Sequence, residues 1–174
     1  IYRIELHGSE NIPLSGSAIV CANHSGLIDG VVLFVATKRP MRVVAKHELF
    51  SSPLGFLFTA GRGIPIDWKN PDRTALKTAI AALSNEEVVG IFPEGTRCRG
   101  QYDWLKDGVS YITNSHVRRF GDLPLIPVTI AGTRKTGQSK SYLTKPGSRI
   151  VVNVGAPLSA KEFGFGEIDA LRRR

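Results

Sequence analysis

His24 and Asp29 stand five positions apart in Asn23-His24-Ser25-Gly26-Leu27-Ile28-Asp29. Imidazole is the one side chain whose ordinary pKa lies near neutrality, so His24 can take a proton from an alcohol at working pH. Its ring must be held in one tautomer, and a carboxylate on the far ring nitrogen does this. Asp29 is the nearest candidate. Farther on, Phe92-Pro93-Glu94-Gly95-Thr96-Arg97-Cys98-Arg99-Gly100 combines a flexible backbone, a hydroxyl and guanidinium groups. Gly95 lets backbone amides approach a phosphate closely. Arg97 can bind phosphate oxygens bidentately, and Arg99 adds charge nearby. Each motif alone has a plain structural reading: a histidine ending a strand, or a turn with exposed arginines. Together they describe an enzyme that activates a hydroxyl on a phosphate-bearing acceptor.

The spacing sets a condition. On a regular helix, residues five apart point about 140° from each other. His24 and Asp29 can therefore meet only if the chain turns at His24-Ser25-Gly26 before helical winding begins, and Gly26 allows such a turn. No serine needs to be the nucleophile, since a Gly-x-Ser-x-Gly elbow is absent around Ser25. The acceptor's own hydroxyl can attack a thioester directly, with His24 as general base. An oxyanion then needs donors. Backbone N–H groups near Gly95 or around Gly61 are the candidates. Gly61-Arg62-Gly63-Ile64-Pro65-Ile66-Asp67-Trp68 flanks an arginine with glycines just before a short strand. Leu123 to Thr133 is an apolar strand in which Pro127 favours an edge or a bulge.

The elements that must hold these residues alternate short β-branched runs with helical stretches, which argues for an α/β layer fold. Strands are expected over residues 2–6, 18–22, 42–45, 64–66, 88–92, 125–131 and 149–154. Helices are expected over 27–37, 46–50, 54–60, 70–83 and 107–117. The fourth of these begins at Asn70 as N-cap with Pro71 in the first helical position. Residues 132–147 are polar and basic and read as a mobile loop. Residues 168–174 read as the start of a helix. His24 and Glu94 each fall just past a strand's end, where ligands gather in such sheets.

The 174 residues suit one domain spanning 1–174, and the chain starts at Ile1 without Met, as a trimmed piece does. Hydrophobic residues are 42% and charged residues 22%, a globular balance. The net charge of +8 favours an anionic partner: nucleic acid, an anionic membrane surface or a phosphorylated small molecule. No nucleic-acid signature is present, and four Tyr and two Trp offer little base stacking. Cys21 and Cys98 show no metal spacing and suggest no disulfide framework. No apolar run reaches the length of a membrane span.

Four blocks in order resemble the glycerolipid acyltransferases, in particular the lysophosphatidate (1-acylglycerol-3-phosphate) acyltransferase family. They are Asn23-His24-x4-Asp29, Gly61 to Trp68, Phe92 to Arg99 and Leu123 to Thr133. The connecting Arg42-Val43-Val44-Ala45-Lys46-His47-Glu48-Leu49 is similar too. The resemblance implies a three-layer αβα fold around a mixed, mostly parallel sheet, like that of glycerol-3-phosphate acyltransferase. It implies His24 as general base with Asp29 as its partner. By the same resemblance Glu94, Gly95, Thr96 and Arg97 help bind the acceptor phosphate, and the block around Arg62 contributes. The fourth block is linked with the acyl-donor side. The implied acceptor is a lysophospholipid or glycerol phosphate. The implied donor is acyl-CoA or acyl-acyl carrier protein, with no metal or other cofactor. The implied place is the cytoplasmic face of a membrane, held peripherally or by a segment absent from this chain. Two departures stand out. The second block often ends in Asp-Arg, but Trp68 follows Asp67, which leaves Arg62 or Lys69 as substitutes; Cys98 replaces a common Ser. The competing readings are a non-catalytic lipid- or phosphate-binding module and an acyl-thioester hydrolase.

Overall fold

A computed structural model describes residues 2–53, 55–67, 73–95, 107–134 and 146–166. Its strands are β1 (Arg3–His7), β2 (Ala18–Ala22), β3 (Met41–Lys46), β4 (Ile64–Ile66), β5 (Val88–Ile91), β6 (Pro124–Ala131), β7 (Arg149–Val154) and β8 (Leu158–Ser159). Its helices are α1 (Asp29–Val35), α2 (His47–Phe50), α3 (Gly55–Ala60), α4 (Thr74–Ser84) and α5 (Gly108–Phe120). The strands form one mixed sheet in the order β1-β7-β6-β2-β5-β3-β4, with β8 against β6. From β6 to β4 all neighbours are parallel. β7 and β8 run antiparallel to β6, and β1 is parallel to β7.

β2 lies in the middle of the sheet, and its unbroken apolar run follows from being covered on both faces. Ala18, Val20 and Ala22 point to one side, where Val32 and Leu33 of α1 and Ala36 just after it pack. Ile19 points to the other, against Ala75, Ala79, Ala82 and Leu83 of α4 and Ile112 and Val117 of α5. Helices thus cover both faces of the sheet. Cys21 belongs to the second face, and burial pushes its thiol up to about 11, so it behaves as a small hydrophobe.

Pro127 sits inside β6, between β2 and the β7/β8 edge, rather than on an outer strand. Its place is a break: β7 pairs with β6 only from Val128 onward, and β8 only at Pro124 and Leu125. In a strand the N–H and C=O of one residue point to the same side. The proline's missing donor therefore falls at that break, where its carbonyl accepts the Gly155 N–H at 2.8 Å. α1 is shorter than the expected 27–37 because the chain turns through Gly26, Leu27 and Ile28 first. The N-cap at Asn70, most of the 132–147 loop and the helix at 168–174 lie outside the described residues. Among those described, no helix is long and apolar enough to cross a membrane.

Candidate active site

β2 and β5 are parallel neighbours, so their carboxyl ends deliver His24 and Glu94 side by side. The Ser25-Gly26 turn meets the condition that the spacing imposed. α1 begins at Asp29, and the aspartate's Oδ2 lies 2.9 Å from His24 Nδ1. The same oxygen accepts the Ser25 N–H at 2.7 Å and the Gly26 N–H at 2.8 Å. Asp29 is fully buried, and its Oδ1 has no hydrogen-bond partner among the described residues. A buried carboxylate is tolerated only where charge or amides meet it, and here one oxygen carries the whole load. Phe92 stacks on the imidazole with centroids 4.5 Å apart and holds the ring from its side.

Gly26 is required by close approach. A Cβ there would stand 2.5 Å from the Thr133 carbonyl oxygen. Thr133 is fully buried, and its hydroxyl lies 3.4 Å from Ser25 Oγ. The end of the fourth block thus backs the turn of the first.

Of the N–H groups expected from sequence to meet an oxyanion, those of the three glycines among the described residues are already engaged. The Gly95 N–H donates to Phe92 O at 3.0 Å, Gly61 N–H to Leu57 O at 2.9 Å and Gly63 N–H to Phe58 O at 2.7 Å. Gly95 makes a tight turn with φ +66°, which explains a glycine there. Glu94 is also occupied: its Oε2 accepts the His24 N–H at 2.9 Å. Thr96, Arg97, Cys98 and Arg99 lie outside the described residues.

Arg62 is not brought to this site. It precedes β4, and β4 runs parallel to β3, so Arg62 stands at the amino end of the sheet while His24 stands at the carboxyl end. There its guanidinium pairs with Glu87 at 2.7 Å and its carbonyl accepts Arg42 Nε at 2.7 Å. Arg62 lines a separate hollow of about 370 Å³ with Lys38, Arg39 and Arg42. Glycine neighbours alone say nothing about which strand end an arginine occupies. Lys69 and Trp68 lie outside the described residues.

Next to His24 opens an apolar cavity of about 110 Å³, walled by Leu27, Val43, Leu49, Phe58, Ile66 and Phe92. Lys46, the last residue of β3, and Gly95 also line it. Apart from His24, Lys46 is the only ionisable group in that lining among the described residues. Its signal was available: the final residue of a parallel strand points to the ligand end of the sheet. Among the described residues, no three His, Cys, Asp or Glu side chains gather to hold a metal ion.

The histidine–aspartate pair thus stands at the mouth of an apolar cavity, beyond the carboxyl ends of the parallel strands. A family model described as "Acyltransferase" matches residues 3–131, and the chain belongs to that family. It is 28% identical over 162 residues to a 1-acyl-sn-glycerol-3-phosphate acyltransferase of Bacillus subtilis (strain 168), covering 92% of this chain and 76% of that protein. It is 32% identical over 101 residues to an enzyme of the same name from Borreliella burgdorferi, covering 56% of this chain and 40% of that one. The crystal structure of the 1-acyl-sn-glycerophosphate (LPA) acyltransferase PlsC from Thermotoga maritima superposes with a TM-score of 0.68 at 28% identity. That match covers 99% of this chain and 66% of the Thermotoga chain, so the chain spans only part of these relatives' length.

Proposed function

We propose that this chain transfers a fatty acyl group from an acyl thioester to the free hydroxyl of 1-acylglycerol-3-phosphate, giving phosphatidate. The observation that carries the reading is the His24 Nδ1–Asp29 Oδ2 contact of 2.9 Å beside an apolar cavity. With Nδ1–H held by the carboxylate, Nε2 is the free base. It removes the acceptor's hydroxyl proton as the oxygen attacks the thioester carbonyl carbon. The tetrahedral intermediate collapses, the C–S bond breaks, and the thiolate leaves with the proton that His24 carried. No covalent acyl-enzyme forms. The cavity takes apolar chain, and Lys46 at its rim faces the acceptor phosphate, joined on sequence grounds by Arg97. The donor is acyl-CoA or acyl-acyl carrier protein, and no metal or other cofactor takes part.

The acceptor and product are lipids, so the enzyme works at an anionic membrane surface. Leu27 and Phe56 are exposed on the segments that wall the cavity and suit lipid contact. Phe163 is exposed as well, but it follows β8 at the other end of the sheet, and Phe165 packs into the core. The relevant face is therefore the one around His24 and Lys46. Radiolabelled acyl-CoA with and without 1-acylglycerol-3-phosphate tests the reaction: labelled phosphatidate forms only with acceptor. Free fatty acid released without acceptor at the same rate makes the chain a hydrolase. Co-sedimentation with anionic vesicles, weakening as salt rises, tests the surface.

A further inference from the structure

We infer that Asn23 and Glu94 are positioning residues that set His24 by gripping its main chain from the two strands beside β2, and that neither touches substrate. The inference rests on His24 being the general base. After Ala22 the chain leaves β2 and turns sharply so that Asp29 can reach back to His24. A segment leaving a sheet loses its ladder partners, and a ring carried on it would swing with the backbone. Two side chains replace the ladder.

Toward β6, the Asn23 amide donates to Ile130 O at 3.0 Å and accepts from Ile130 N at 2.7 Å. This is the two-way exchange of a main-chain pair, made by a side chain that has both a donor and an acceptor. Toward β5, Glu94 Oε2 accepts the His24 N–H at 2.9 Å. The next two amides, of Ser25 and Gly26, end on Asp29. The chain is thus held at four successive residues, and the ring itself is held by Asp29 and Phe92. Neither Asn23 nor Glu94 lines the cavity beside His24. Glu94 is 7% exposed. A buried carboxylate already accepting an amide is ill suited to a phosphate, which it repels. The acceptor-binding part that resemblance gives Glu94 therefore passes to other groups, of which Lys46 lines the cavity.

The test is steady-state kinetics with 1-acylglycerol-3-phosphate and acyl-CoA on Asn23→Ala, Asn23→Asp, Glu94→Ala, Glu94→Gln and His24→Ala, with thermal unfolding of each. The two alanine variants at 23 and 94 lower kcat on the order of 10²-fold, as for a base misplaced by about 1 Å. KM for both substrates stays near the wild-type value. Glu94→Gln keeps an acceptor oxygen for the His24 N–H and recovers most of the loss. Asn23→Asp keeps the acceptor for Ile130 N–H but sets a carboxylate against the Ile130 carbonyl, and it stays as slow as Asn23→Ala. If the alanine variants unfold at the assay temperature, Glu94→Gln and Asn23→Asp carry the same distinction. A raised acceptor KM with kcat kept in Glu94→Ala overturns the inference, as does a Glu94→Gln variant no better than Glu94→Ala. Activity surviving in His24→Ala sinks the general-base reading itself. A dead His24→Ala beside fully active variants at 23 and 94 sinks the positioning role alone.

Discussion

At the carboxyl ends of β2 and β5, Asp29 and Glu94 are buried and receive the N–H groups of three successive residues, His24, Ser25 and Gly26. At the amino ends of β3 and β5, Glu87 holds two guanidinium groups, Arg42 at 3.3 Å and Arg62 at 2.7 Å, in contact with solvent. The two regions use carboxylates differently. A buried carboxylate is costly unless charge or amides meet it, so its partners must stand in one arrangement. A surface ion pair contributes little, because water serves each partner nearly as well. The first arrangement fixes geometry. The second fastens the turn before β4 to the edge of β5. Substitutions should therefore separate the two ends by effect size and by readout.

The largest effect is expected at the buried end. His24→Ala should lower kcat by roughly 10²–10⁴-fold, the range of general base catalysis. Asp29→Asn should lose much of the same activity, since the tautomer is no longer fixed. Both are read in single-turnover assays of acyl transfer. A His24→Ala enzyme within about tenfold of wild type falls outside that range and would erase the distinction between the two ends.

Next comes the rim of the cavity. Lys46→Ala should raise the acceptor KM by about tenfold, the lower end of the roughly 1.5–3 kcal/mol that a hydrogen bond to a charged group contributes, because Lys46 is exposed. Arg97→Ala should act in the same direction. Donor KM should hardly move. An equal rise for both substrates, measured at saturating partner, would remove Lys46 and Arg97 from the acceptor side.

A third substitution probes packing rather than charge. In Gly26→Ala the new methyl would meet the Thr133 carbonyl oxygen at 2.5 Å and its Oγ1 at 2.6 Å. The turn or β6 must shift, and overpacking of this kind costs about 1–3 kcal/mol. Thermal unfolding should show the loss, and kcat should fall with it because the same turn holds Asp29. Unchanged stability would mean that the turn yields freely and that His24 is not rigidly placed.

Much of this arrangement was legible in the residues. The bounds of β2 coincide with the apolar run 18–22, because a strand covered on both faces needs every position apolar. The spacing and Gly26 set the condition under which His24 and Asp29 could meet, and the resemblance paired them. What composition and spacing could not supply was long-range pairing. Asn23 is only the first residue of its block until Ile130 is beside it. Glu94 reads as part of a phosphate loop until the parallel pairing of β2 and β5 places it under the His24 amide. β8 has two residues, too few for any pattern. Thr96 and Arg97 lie outside the described residues, so their reading still rests on sequence alone.

The smallest effect is expected at the amino end, and it is the sharpest check on the comparison. Arg62 and Arg97 look alike in sequence, each an arginine close to glycine in a loop. Among the described residues the strand directions set Arg62, before β4, apart from Glu94, after β5. Arg62→Ala removes one exposed ion pair, and Glu87 keeps Arg42 as a partner. The expected loss of stability is about 0.2–1 kcal/mol, as for exposed pairs. Arg62 also holds φ at +52°, a left-handed conformation that non-glycine residues adopt at a cost. Arg62→Gly relieves that cost while losing the same ion pair, so it should be no less stable than Arg62→Ala. Both variants should keep wild-type kcat and wild-type KM for acceptor and donor. A selective rise in acceptor KM for either would return Arg62 to the substrate site and would mean that the two ends of the sheet communicate.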